Sequence, residues 1–334
     1  MNKSRSGMLA LVVALGFAEL ADASPPEIRQ RTAAYSVLHL ESQAAVMSSE
    51  VETSTHAPWG LPRVHPIRGA HRRVEREGYV LAHSSRDRSA LWVCERIDRS
   101  QLDGDAVRRA SFKADPQLAR GARAELRDYR ASGFDRGHLA AAADQRHVQR
   151  LKDETFYLSN MAPQDPAFNQ RIWAALEREV RRWVKRWGTV FVITGGFFFD
   201  PAEEHPSTAD GLVEHPMAGR VSVPTHFYKI VLRRDGGSWR ALTFVFENRA
   251  YGRGSELDAQ LRSVDWLEQR ARLDFLPGLA VSEQESLERR PGCWGDFAGR
   301  EVEPVARRRA TAVSARRQRA SSRRRGASGA RFRR

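Results

Sequence analysis

The chain has 334 residues, 41% of them hydrophobic, which is enough for a real core in one large domain or two small ones and excludes a wholly disordered protein. Its formal charge is +14, but residues 305–334 hold twelve arginines and no Asp, Glu or Lys, so the rest of the chain carries only +2. The body is nearly neutral, which excludes a protein that coats nucleic acid through overall basicity.

Residues 1–23 read as a secretory signal. Lys3 and Arg5 precede an apolar run from Met8 to Phe17, and Ala21-Asp22-Ala23 gives a small-x-small cleavage pattern. The run is too short to cross a bilayer, and no other stretch is a candidate for an integral span. The sequence therefore predicts an exported protein, periplasmic or secreted. Residues 24–75 are rich in Pro, Ser, Thr and His and show little periodicity, so they are expected to form a loosely structured arm.

The body is expected over residues 76–300. Tyr79–His83 and Ala90–Val93 are β-rich runs joined by a polar turn, a hairpin pattern. From Arg171 to Trp187, Ile172, Leu176, Val180, Trp183, Val184 and Trp187 fall on one face of a helix, with Gly188 as a stop. Strands are predicted at 189–194, 220–223, 227–232 and 241–246, with a turn at Asp235-Gly236-Gly237 and a helix over 261–270. This order implies an α+β fold with a mainly antiparallel central sheet flanked by helices. Residues 305–334 are low-complexity Arg/Ala/Ser and are expected to be a disordered tail. Cys94 and Cys293 are either one disulfide of an exported protein or two unrelated thiols.

The chemistry concentrates in Gly133-Phe134-Asp135-Arg136-Gly137-His138. An imidazole can take a proton from water near neutral pH, and a guanidinium can neutralise phosphate charge. Asn160 follows in Ser159-Asn160-Met161-Ala162-Pro163-Gln164, and Asn169 in Phe168-Asn169-Gln170 at the head of the patterned helix. An amide oxygen there suits a hard divalent cation, although helix capping is also a common job for Asn. A zinc site built on His205 and His215 is disfavoured, because they lie in a Pro-containing stretch without ligand spacing.

Ser132–Ala140, Thr155–Gln164, Phe168-Asn169-Gln170 and Val223-Pro224-Thr225-His226-Phe227-Tyr228-Lys229 occur in the order seen in the DNA/RNA non-specific endonucleases, a ββα-metal family. The chain resembles that family over about residues 77–280. The run Leu139-Ala140-Ala141-Ala142-Ala143 and the Val-Pro-Thr-His-Phe segment give it an endonuclease G flavour. It departs at Thr194-Gly195-Gly196, where the family usually has Thr-Gly-Pro.

The resemblance implies a Mg²⁺-dependent endonuclease, with Mn²⁺ as a substitute ion, that cleaves DNA and RNA without sequence preference and leaves 5′-phosphates. It implies His138 as general base, Asn169 as metal ligand, Arg136 at the scissile phosphate and Asn160 near the site. Arg171 is a weaker phosphate candidate, and Asp135 reads as a structural brace. Glu177 stands eight residues after Asn169. On a regular α-helix that is about 80° past two full turns, so Glu177 is expected to act through metal-bound water or by orienting an arginine. A homodimer is a further expectation, and the arginine tail would bind nucleic acid or an anionic surface. The rival reading is a catalytically inactive nucleic-acid-binding protein on the same scaffold.

Overall fold

A computed structural model describes residues 51–199, 217–218, 220–252 and 256–298. The elements belong to the unit that begins at Glu52. The expected signal, most of the expected arm, His205, His215 and the arginine tail lie outside the described residues.

The centre is a seven-stranded antiparallel sheet. Its strands are β1 (His71–Glu75), β2 (Val80–Ser84), β3 (Ser89–Asp98), β6 (Thr189–Phe197), β7 (His226–Asp235), β8 (Ser238–Glu247) and β9 (Leu261–Arg262). They lie in the order β9-β8-β7-β6-β3-β2-β1. Alternation along each strand divides the core between two faces. Val93 and Ile97 of β3, Val192 of β6 and Phe227 and Val231 of β7 pack on one side. Cys94 of β3, Ile193 of β6 and Tyr228, Ile230 and Leu232 of β7 pack on the other. The β7–β8 hairpin turns at Gly236 and Gly237, at φ 56° and 95°, a pair of left-handed positions suited to glycine.

Outside this sheet, β4 (Asp135–His138) pairs antiparallel with β5 (Met161–Gln164), and a long helix follows. That is the ββα arrangement expected for the site. The helix opens with a π-turn over Phe168–Trp173 and continues as α2 (Ala174–Trp187); α1 is Gln149–Glu154. Leu176, Val180, Trp183 and Val184 press α2 onto the first sheet face, and Gly188 ends it at φ 88°.

Two expectations need correction, and one open alternative is decided. Residues 24–75 are not all a loose arm. Trp59 is buried on the second face, edge-on to Phe191 and Trp239 at 5.3 and 5.0 Å, and residues 71–75 form an edge strand. That strand buries only Val74, so its sequence lacks an apolar rhythm. The helix expected over 261–270 begins later, as α3 (Val264–Ala271). Ser263 caps it by accepting from the Trp266 N–H at 3.1 Å, and Leu261–Arg262 instead extend the sheet. Cys94 is buried and Cys293 exposed, and both are free thiols. Among the described residues no helix is long and apolar enough to cross a membrane.

Candidate active site

The chain must fold tightly around His138 before it can do chemistry. Gly137 pairs with Ala162 across β4 and β5, and a Cβ at 137 would collide with the Gln164 amide. Only glycine permits this approach, which explains the residue between Arg136 and His138. After His138 the backbone is locked by Asn160. Its Oδ1 accepts from the Ala140 N–H at 2.9 Å, and its Nδ2 donates to the Ala140 and Thr155 carbonyls, each at 2.9 Å. Asn160 is fully buried and spends its amide on backbone, so it positions the His138 segment and does not itself face a substrate.

The His138 ring sits between Phe112 and Phe156, with centroids at 5.8 and 5.0 Å. Its Nε2 has no hydrogen-bond partner among the described residues, and the Trp173 indole donates to its main-chain oxygen at 3.4 Å. Burial, then the charges of Arg108 and Lys152, hold the imidazole down at about 3. The ring is therefore neutral across the neutral range.

His138, Asn169, Gln170 and Glu177 line one hollow of about 310 Å³ with Ala141, Ala142, Ala143 and Ala174. The π-turn brings the two helix residues together. It inserts one extra residue, as the Ala174 N–H bond to the Asn169 carbonyl shows. Eight positions then act like seven, about 20° short of two turns, and not the 80° of a regular helix. The expected separation of Asn169 from Glu177 is thus removed by the wide turn.

Asn169 donates from Nδ2 to Asp135 Oδ2 at 2.9 Å, and Gln170 donates to the same oxygen at 2.9 Å. The Asn169 amide oxygen is the end left for a ligand. An amide oxygen, a carboxylate and room for water make a donor set that fits a hard cation such as Mg²⁺. Glu177 is pushed up to about 7, chiefly by burial; Lys229 pulls it down and Asp144 pushes it up.

A charged network lies beneath the hollow. Lys229 is buried and donates to Thr194 Oγ1 at 2.6 Å and to the Leu139 carbonyl at 3.5 Å. Arg181 pairs with Asp144 at 2.8 Å. Glu95 is buried on β3 and is held well above the carboxylate range by burial and by Asp144. Arg181, Asp144 and Glu95 are not among the site residues expected from the sequence. Arg181 follows Glu177 at four residues, a readable helix spacing; Asp144 and Glu95 come from distant segments and carry no such signal.

Arg136 is set apart from the metal-type donors. Its guanidinium lies over Phe112 at 4.5 Å and lines a neighbouring hollow with Arg108 and Arg109. His138 packs against the same Phe112 ring. A second basic hollow, lined by Arg146, Arg178, Arg181, Arg182 and Lys185, shares Ala143 with the His138 hollow. Arg171 is exposed and lines none of these three. Gly196, at the departure from the family pattern, leaves room for Pro224, whose Cγ would lie 2.6 Å from a Cβ there.

A family model described as "DNA/RNA non-specific endonuclease" matches residues 63–282. Human mitochondrial endonuclease G is 39% identical over 229 residues, covering 67% of this chain and 73% of the relative. Nuclease C1 of Cunninghamella echinulata is 38% identical over 217 residues, covering 63% and 84%. A chain from the crystal structure of the EndoG/EndoGI complex superposes with a TM-score of 0.60 at 30% identity, covering 70% of this chain and 96% of that one. The chain belongs to the DNA/RNA non-specific endonuclease family.

Proposed function

We propose that this protein is a metal-dependent endonuclease that hydrolyses phosphodiester bonds of DNA and RNA without sequence preference. The observation that carries the reading is the convergence of an unpartnered His138 Nε2 with Asn169 and Glu177 on one hollow. His138 takes a proton from water. The water oxygen attacks phosphorus, the bond to the 3′ oxygen breaks, and the leaving oxygen gains a proton from solvent, so the phosphate stays on the 5′ side. Asn169 and Glu177 would hold Mg²⁺, with Mn²⁺ as a substitute ion, and the bound cation would offset charge on the phosphoryl and leaving oxygens. Arg136 stands beside the His138 ring across Phe112, where it can neutralise the scissile phosphate. Two neighbouring basic hollows can take flanking phosphates, which is recognition of backbone and not of base edges.

Plasmid nicking with Mg²⁺, with EDTA, and with His138→Ala tests the reading. Loss of nicking in EDTA and in the variant, with DNA binding retained, is expected. A parent chain that binds DNA but never nicks it would favour the inactive binding protein.

Export, a homodimer and nucleic-acid binding by the arginine tail belong to the same proposal. Export is supported by the pattern in residues 1–23, although the human relative is named as mitochondrial. Fractionation of the native host with amino-terminal sequencing checks it: export expects a new terminus at Ser24.

A further inference from the structure

Away from His138, on the second face of the sheet, α3 and α4 (Val281–Glu288) carry three carboxylates to one point. Val264 and Leu267 of α3 pack into that face, whereas Leu139, Phe168 and Leu176 near the catalytic hollow pack into the first. Asp265 and Glu268 stand three residues apart on α3 and so share one side of it. Glu288 is the last residue of α4. One oxygen from each lies within 4.8 Å of the other two.

Acidic residues often cluster on surfaces without consequence, but Glu288 is not on the surface. It is only 8% exposed, and its Oε1 is out of solvent contact and has no hydrogen-bond partner among the described residues. Leaving a carboxylate oxygen in that state is costly. Asp265 and Asp274 act on Glu288 as acidic neighbours, and Glu288 acts likewise on Glu268. The donor that does reach the group, the Phe275 N–H, goes to Glu268 at 2.7 Å.

We propose that Asp265, Glu268 and Glu288 form a second divalent-cation site, suited to Ca²⁺, which ties α3 to α4 and is separate from the catalytic hollow. All the donors are carboxylate oxygens, and they come from two helices on side chains of different length. Ca²⁺ accepts mono- or bidentate carboxylates in loose geometry, while Mg²⁺ demands a near-ideal octahedron and keeps its waters. A cation there would also answer the orphaned Glu288 oxygen.

The test is calorimetric titration of Ca²⁺ alone into Asn169→Ala/Glu177→Gln, which removes the catalytic-type donors. One Ca²⁺ per chain should still bind, and Ca²⁺ should raise the Tm. Adding Asp265→Asn and Glu288→Gln should abolish both effects. In EDTA the Glu288→Gln chain should melt no lower than its parent, because the change removes repulsion, and this shows that it folds. No Ca²⁺ binding by the double variant, or unchanged binding after the Asp265 and Glu288 substitutions, would overturn the site. Neither result bears on nicking by the parent chain.

Discussion

Asp135 Oδ2 receives both the Asn169 and the Gln170 side-chain amides, so a strand carboxylate fixes the helix residue proposed to offer its oxygen to a metal. The aspartate of the Asp-Arg-Gly-His run is therefore a positioning residue tied to the metal donor and not only a brace of its own hairpin. Asp135→Ala should raise the Mg²⁺ concentration for half-maximal nicking about 10–100-fold, with much of the maximal rate recovered at high Mg²⁺. A Mg²⁺ titration of nicking rate checks this; an unchanged half-saturation point with a collapsed maximum would contradict it.

The pH profile should separate His138 from Glu177. His138, depressed to about 3, stays neutral as pH falls through 6.5, so it should impose no acid limb near the ordinary histidine value. Glu177, raised to about 7, gains a proton as pH falls through neutrality and becomes a poorer donor. Single-turnover nicking from pH 5 to 8 should therefore show an acid limb near 7 at low Mg²⁺ that moves to lower pH as Mg²⁺ rises. A limb fixed at 6.5 at every Mg²⁺ concentration would assign it to histidine instead.

Asn160 makes three hydrogen bonds to buried backbone, and Asn160→Ala would strand two carbonyls and an N–H. A loss on the order of 2–4 kcal/mol is expected, read by denaturant unfolding. Nicking should fall as well, because the released segment carries His138.

Gly137→Ala should be overpacked by about 1–3 kcal/mol and lose activity, since its methyl group meets Gln164. The Gln164 amide atoms have no hydrogen-bond partners, so trimming that side chain is a direct remedy. Gly137→Ala/Gln164→Ala should recover stability and nicking relative to Gly137→Ala. Additive losses in the double-mutant cycle would show that the two do not meet.

Removing residues 305–334 takes away twelve arginines. The slope of log binding constant against log salt should flatten, while single-turnover cleavage of bound DNA should stay largely intact. Collapse of that cleavage would give the tail a catalytic role.

Much of this was legible in the sequence, and the reasons for the failures are physical. The helix over 171–187 announces itself because it buries one face and exposes the other, and the hairpin of β7 and β8 because two apolar runs flank the Asp235-Gly236-Gly237 turn. His138, Asn160 and Asn169 sit in motifs whose order marks the family. The edge strand at 71–75 was hidden because an exposed edge needs almost no apolar pattern. Glu95 and Asp144 reach the site only through the packing of β3 and the Ala-rich segment beneath it. Arg136, expected at the scissile phosphate, lies over the Phe112 ring that His138 also packs against, a placement that chain spacing cannot register.

The π-turn at Phe168–Trp173 has a practical consequence for anyone who would move this centre to another scaffold. Copying Asn and Glu at their native spacing onto a regular helix would point them in different directions. Deleting one residue between them in this protein would keep both side chains and still spoil their alignment unless the helix rewound. What must be carried over is the alignment, either with the wide turn itself or with the two residues set seven apart on a regular helix.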